Sequence, residues 1–189
     1  MNKQPLGPLR PVLLLLLLWL AIPLARADDF TIHKVETHLF EQVYVMDAQV
    51  DYVFSSRALE ALASGVPLTL RMDIEVERKR GWLPDVTIAT LEQFYQIKYH
   101  ALSQTYLVRN LNSSAVYSYL TQQEAIESLG KLHNFPLLDA KLIAPGERYE
   151  IEMRIALDID SLPSPLKLIA YVTPGWHLSS DWSAWSLKP

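Results

Sequence analysis

The stretch that decides the fold is residues 67–80, PLTLRMDIEVERKR, in which apolar and polar side chains alternate. The side chains that share one face of such an extended segment are all apolar: Leu68, Leu70, Met72, Ile74 and Val76. Because successive side chains of a strand point to opposite faces, this pattern is typical of a strand with one buried and one solvated face. The segment therefore predicts an antiparallel sheet that is buried on one side.

The same alternation recurs twice, and other segments are rich in β-branched and aromatic residues. Together they predict about eight strands, at residues 30–40, 44–54, 67–80, 86–102, 105–110, 115–120, 149–160 and 167–173. A parallel sheet would need a helix after nearly every strand, and only two short helical segments are evident. The expected fold is mainly β, an antiparallel β-sandwich that is immunoglobulin-like in general build.

The two predicted helices carry local end signals. One spans residues 57–64, after the capping pair Ser55-Ser56 and before Gly65. The other runs from Thr121 to about residue 133 and opens with a capping box of Thr121 and Glu124. Since no linker or repeat divides the chain, we expect a single domain over residues 28–189.

Residues 1–27 have the features of a secretory signal peptide: basic residues, a short apolar run and a small-residue end at Ala27. The apolar run is shorter than the roughly 20 residues of a transmembrane helix. Cleavage after Ala27 is therefore expected, with no further membrane span. Exported eukaryotic domains usually contain disulfides, whereas this chain has no cysteine. A bacterial periplasmic location is predicted.

The net charge of the chain argues against some classes of binding partner. The net charge is −4, and it becomes more negative when Lys3, Arg10 and Arg26 leave with the signal peptide. An acidic chain without a long basic stretch is a poor candidate for binding nucleic acid. The five histidines do not pair at metal-ligand spacings, and no cofactor motif is present. Asp158 and Asp160 allow a calcium site, an acid–base pair or simply a solvated strand face.

Two segments are candidate contact sites. Arg78, Lys79 and Arg80 precede Trp82 at the tip of the longest alternating strand. They would contact an acidic partner or lipid headgroups, or else protect an edge strand while Trp82 folds back over the core. Near the C-terminus, Trp176, Trp182 and Trp185 would form a stacking platform for a glycan or lipid, or else close the hydrophobic core. His177 with its neighbouring serines and Asp181 does not match a known catalytic motif.

Several segments together resemble a proteobacterial exported family known only as domain of unknown function 4390. They are SSRALEALASGVPLTLRMDIEVERKRGW at 55–82, YHALSQTYLVRNLN at 99–112, RIALDIDSLPSPLKL at 154–168 and SSDWSAWSL at 179–187. The resemblance brings no activity, ligand or catalytic residue. It implies an accessory role in envelope signalling, beside a membrane sensor kinase.

The sequence thus predicts a non-enzymatic periplasmic binding or accessory protein whose partner is a periplasmic or membrane protein. The alternatives are a glycan- or lipid-binding module that uses the C-terminal tryptophans, and a hydrolase that uses Asp158 and Asp160 or His177.

Overall fold

Antiparallel strand pairing organises the chain from residue 30 to residue 186. The computed structural model describes residues 29–187. Within that range lie nine strands: β1 Phe30–Phe40, β2 Val43–Tyr52, β3 Leu68–Lys79, β4 Val86–His100, β5 Thr105–Asn110, β6 Val116–Tyr119, β7 Lys131–Asp139, β8 Arg148–Leu157 and β9 Ser183–Ser186. Three α-helices accompany them: α1 Ser56–Ala63, α2 Gln122–Leu129 and α3 Ser164–Val172. One-turn 3₁₀ helices occupy Ala140–Leu142 and Ile159–Ser161.

The strands form two sheets. The smaller has the order β1-β2-β7, and the larger has the order β6-β5-β4-β3-β8-β9. Every named pair in both sheets is antiparallel. The predicted mainly β, sandwich-like fold is confirmed. Because β3 to β6 form a continuous meander, the likeness to an immunoglobulin domain is limited to the two-sheet build.

The predicted alternation of β3 places its apolar face in the core. Met72, Ile74 and Val76 are buried and lie opposite Ile155, Met153 and Ile151 of β8. Residues of both sheets belong to the same hydrophobic cluster. Full burial of one such side chain contributes about 1.5–3 kcal/mol to the free energy of unfolding. The β3–β8 pair is therefore a principal source of stability.

Both predicted helices are present, and their N-terminal caps are as expected. The Ser55 hydroxyl accepts a hydrogen bond from the Ala58 amide at 3.2 Å. Thr121 and Glu124 form the reciprocal capping box. α2 is shorter than predicted, because it ends before Gly130 and residues 131–133 belong to β7.

The prediction of a strand at residues 167–173 is wrong, since residues up to Val172 form α3. Pro165 lies in the first turn of this helix, where its missing amide hydrogen costs nothing. Strands β7 and β9 were not predicted. The expected signal peptide and its cleavage after Ala27 fall on residues outside the described range.

Candidate functional site

The strand topology brings three connections to one end of the molecule. β2 begins at Val43 opposite Asp139, where β7 ends. β3 ends at Lys79 opposite Arg148, where β8 begins. The connection from 140 to 147 joins these two places, so it lies beside both the β1–β2 turn and the β3–β4 loop.

Direct contacts support this arrangement. The Ala140 amide donates to the Gln42 carbonyl at 2.8 Å, which ties the β7–β8 connection to the β1–β2 turn. On the other side, a groove is lined by residues of the β3–β4 loop and by Glu147 and Arg148. We call residues 39–42, 80–85 and 140–147 the loop end.

Two of these connections have well-defined local geometry. Glu41 and Gln42 both have positive φ, 46° and 70°, which is the signature of a two-residue type I′ hairpin turn. In the β3–β4 loop, the Asp85 carboxylate accepts from the Arg80 amide at 3.0 Å, and the Arg80 side chain donates to the Pro84 carbonyl at 3.0 Å. These contacts close the loop and leave its tip, Trp82, projecting into solvent.

Large apolar side chains are exposed in all three segments of the loop end. Trp82 has 91% of its surface exposed, and the others are about half exposed: Leu39, Phe40, Leu83 and Leu142. Soluble monomers rarely expose clustered large apolar residues without a role in binding. Sequence reasoning found Trp82 but missed Leu39, Phe40 and Leu142. The available signal was a hairpin turn directly preceded by two large apolar residues.

The basic cluster does not present a row of free cations. The Lys79 ammonium lies 2.9 Å from Glu77, 3.1 Å from Asp85, and 3.3 Å from both Glu150 and Glu152. Hydrogen bonding to these carboxylates, Glu77 first, raises the pKa of Lys79. The Arg80 amide and then Lys79 lower the pKa of Asp85. Lys79 is thus a structural cation in an acidic setting.

The other members of the cluster are divided between the interior and solvent. Arg78 is half-buried, and its Nε atom is buried without a hydrogen-bond partner among the described residues. Arg80 and Trp82 are exposed. The expectation of an edge strand is wrong, because β3 lies between β4 and β8, and Trp82 does not fold back over the core.

The three C-terminal tryptophans are not brought together as one exposed surface. Trp176 is only 3% exposed and belongs to the core, and Trp185 of β9 packs against the core opposite Ile151. Trp182 is 46% exposed. Hydrogen bonds fix the segment between them, since Ser180 donates its amide to the Ile155 carbonyl at 2.8 Å. This placement matches a segment that closes the core rather than a platform of three indoles.

The aspartates near the end of β8 serve the local structure. Asp158 caps the following 3₁₀ turn and accepts from the Ser161 hydroxyl. Asp160 lies 2.7 Å from the Lys167 ammonium and accepts from the Tyr171 hydroxyl at 2.5 Å. Lys167 first, and then Tyr171, lower the pKa of Asp160. These contacts hold α3 against the turn.

His177 is exposed, and its Nε2 atom lies 3.3 Å from the Tyr171 carbonyl oxygen. Across residues 29–187, no three histidine or carboxylate groups are placed to hold a metal ion. No helix in the same range is both long and apolar enough to cross a membrane.

Comparison with known proteins identifies the family to which the chain belongs. No curated protein and no solved structure matches the chain. Residues 27–186 match the family model described as Domain of unknown function (DUF4390), and the chain belongs to that family.

Proposed function

We propose that this chain is an exported, periplasmic, non-enzymatic protein that docks on a partner protein through its loop end. The partner is a periplasmic protein or the periplasmic region of a membrane protein, such as a sensor kinase. The observation that carries the proposal is the exposure of Phe40, Trp82 and Leu142 in the three segments of the loop end. Aromatic side chains of this kind are enriched among the residues that dominate protein–protein binding energy.

The charges around the loop end are of both signs, which suits a protein partner. Glu41, Asp85, Asp139 and Glu147 flank the exposed apolar side chains, and so do Arg80, Lys141 and Arg148. The whole chain also has a net charge of −4. The net negative charge disfavours a surface of anionic lipid headgroups, whereas a partner protein with an apolar centre and a rim of both charges would complement the loop end.

The other functions considered from the sequence have less support. A glycan or lipid platform would need the C-terminal indoles to be exposed together, and Trp176 is buried. A hydrolase would need Asp158 and Asp160 to be available for chemistry, and both are engaged in holding α3 and its preceding turn. Their engagement favours a binding role.

Site-specific photocrosslinking tests the proposal. A photoreactive phenylalanine analogue is placed at Trp82 or at Phe40 in the full chain, expressed in the bacterium that encodes it. The matched control position is Leu102, which is 94% exposed in the turn at the opposite end of β4. We expect the same partner protein, identified by mass spectrometry, from positions 82 and 40 and not from position 102.

The Trp82→Ala exchange should also reduce the yield of that adduct from position 40. Equal adducts from position 102, adducts with lipid alone, or no protein adduct from either loop-end position would overturn the docking proposal.

A further inference from the structure

The two sheets differ in width, and this leaves part of the larger sheet without a facing sheet. The larger sheet has six strands and the smaller has three. Helix α2 contacts β4, β5 and β6, and it also contacts β2 and β7 of the smaller sheet. Between the edge strands β6 and β7, beside α2, a cleft of about 320 Å³ remains open to solvent. Small-molecule sites begin at about this volume.

The inner face of this part of the sheet is unusually rich in tyrosine. Cross-strand register places Tyr95 opposite Asn110, Val108 opposite Tyr117, and Tyr106 opposite Tyr119. Tyr99 is the partner of Tyr106, and their rings lie 5.0 Å apart. Five of the nine tyrosines of the chain therefore share this surface.

Three of these tyrosines line the cleft directly: Tyr95, Tyr117 and Tyr119. Each offers an apolar ring face together with a hydroxyl that can donate and accept hydrogen bonds. Tyr117 on the edge strand is exposed, whereas Tyr95 and Tyr119 are half-buried. Burial raises the pKa of Tyr95, and the neighbouring Asn110 amide offsets only part of that rise, so the hydroxyl stays protonated.

Polar groups in the wall are held in place by the backbone. The Asn110 side-chain oxygen accepts from the amides of Asn112 and Ser113, both at 2.9 Å. The Ser128 hydroxyl donates to the Ala125 carbonyl at 2.7 Å and keeps its lone pairs for another donor. A wall whose side chains are already oriented loses little conformational freedom when a ligand binds.

The charge of the cleft is opposite in sign to that of the protein. Its lining contains no aspartate or glutamate, although the whole chain has a net charge of −4. It contains Lys131, which is exposed and makes no ion pair within residues 29–187, and His133. His133 also borders a neighbouring groove that contains Glu36 and Asp47, and an Asp47 oxygen lies 3.4 Å from His133 Nδ1. The cleft therefore suits a ligand with a negative charge.

We propose that the cleft between β6 and β7 binds an acidic sugar, with the ring against Tyr117 and Tyr119 and the carboxylate toward Lys131. Aromatic faces suit the apolar face of a pyranose ring, and the tyrosine, asparagine and serine groups suit its hydroxyls. The site is separate from the loop end, so the protein would bind a small molecule independently of its proposed docking partner.

The test compares two sugars that differ by one lactyl ether group, which carries a carboxylate. N-acetylmuramic acid and N-acetylglucosamine share the same pyranose ring, and only the former carries a lactyl carboxylate. Each is titrated into the ¹⁵N-labelled chain while amide chemical shifts are followed by NMR. We expect shifts of the amides in β6, β7 and the start of α2, with N-acetylmuramic acid binding more tightly.

Two exchanges and a control sharpen this test. Lys131→Met should weaken binding of N-acetylmuramic acid by about fivefold and leave the affinity for N-acetylglucosamine unchanged. Tyr117→Ala, at an exposed edge position, should weaken binding of both sugars. The control is Lys98→Met, because Lys98 is an exposed lysine on β4 that does not line the cleft.

The proposal is overturned if neither sugar shifts the β6 and β7 amides at tens of millimolar. Equal affinities for the two sugars, or an unchanged affinity in Lys131→Met, would equally overturn it. Binding at the loop end alone would also contradict it. None of these results bears on photocrosslinking from Trp82, so the two proposals fail separately.

Discussion

Glu77 and Glu150 are direct partners across the β3–β8 pair, and one ammonium, that of Lys79, lies within 3.3 Å of both carboxylates. The next pair along the same strands, Glu75 and Glu152, is also acidic. Like charges directly opposite each other in a sheet destabilise it. Lys79 offsets this repulsion, which explains why a residue predicted to face a partner is instead held inside the protein's own charge network.

The exchange Lys79→Met should lower the free energy of unfolding by about 1–2 kcal/mol at pH 7. The reason is that four carboxylates lose their shared cation while the half-buried alkyl stem is kept. Urea denaturation at equilibrium measures the change. Lys98→Met, at an exposed lysine without an ion pair in the described chain, is the matched control and should change stability little. An equal loss in both variants would contradict the assigned role.

The difference between the wild type and Lys79→Met should depend on pH. The pKa of Asp85 is lowered from 3.8, so its stabilising contribution is present above that value and disappears as pH falls through the lowered pKa. The pKa of Lys79 is raised above 10.5, so its contribution is present below that value and disappears only as pH rises through the raised pKa. The difference in stability between the wild type and Lys79→Met should therefore persist from pH 5 to pH 9 and decrease in acid.

Urea midpoints measured for both proteins between pH 2.5 and pH 9 test this. A gap that stays constant down to pH 2.5 would show that the exchange acts through packing and not through charge.

The sequence predicted the central part of the fold well because its patterning there is locally complete. From Leu70 to Val76 in β3 and from Tyr149 to Leu157 in β8, every second residue is apolar and buried. The caps of α1 and α2 were also predictable, because a cap is a contact between residues only three apart. Such signals do not depend on the rest of the chain.

The errors occurred where tertiary contacts decide the outcome. Residues 167–173 are rich in β-branched and aromatic side chains, yet Asp160 binds Lys167 and Tyr171 one turn apart on α3. β7, which was not predicted, contains Pro136. Because β7 is the edge of the smaller sheet, the missing amide hydrogen is tolerated there.

The candidate surfaces could be predicted only in part for the same reason. Trp82 follows a long strand, so its loop position could be inferred locally. Leu142 lies beside the β1–β2 turn because β2 pairs with β7. These two strands are nearly ninety positions apart in the chain, and the Asn134 amide of β7 donates a hydrogen bond to the Asp47 carboxylate of β2. The tyrosine-lined cleft likewise depends on sheet widths that no local pattern reports.

Trp82 and Trp176 should differ sharply in their contribution to stability, although the sequence offers both as contact residues. Trp176→Ala should cost about 3–5 kcal/mol, because the indole is buried in the core. Trp82→Ala should change stability by less than about 0.5 kcal/mol, because its indole is exposed at a loop tip. Thermal and urea denaturation of the two variants measure this. Comparable losses would mean that Trp82 packs against the protein.

The start of the mature protein gives a direct check on export. If residues 1–27 are a signal peptide, intact-mass analysis of protein recovered from the periplasmic fraction should show a chain beginning at Asp28. Ala25 and Ala27 supply the small residues that signal peptidase requires at its cleavage site. Recovery only from the cytoplasm, or a chain that keeps Arg26 and Ala27, would contradict the proposed location.

Gly130 links α2 directly to β7, and its lack of a side chain is a packing requirement rather than a conformational one. Its φ is −77°, which any residue adopts, but a Cβ atom there would overlap the Val50 carbonyl oxygen. The Val50 amide donates to the Gly130 carbonyl at 2.9 Å, so the two backbones cannot separate without losing this bond. Gly130→Ala should therefore destabilise the fold by about 2–3 kcal/mol.

Gly146 provides the contrast for Gly130. Its φ is +81°, and a Cβ atom there would meet no other atom within 4 Å. Gly146→Ala should therefore cost only about 1 kcal/mol, from backbone strain alone. Urea denaturation compares the two variants, and hydrogen exchange at Val50 should quicken only in Gly130→Ala. A larger loss in Gly146→Ala than in Gly130→Ala would show that the close approach of α2 and β2 is not what requires glycine at position 130.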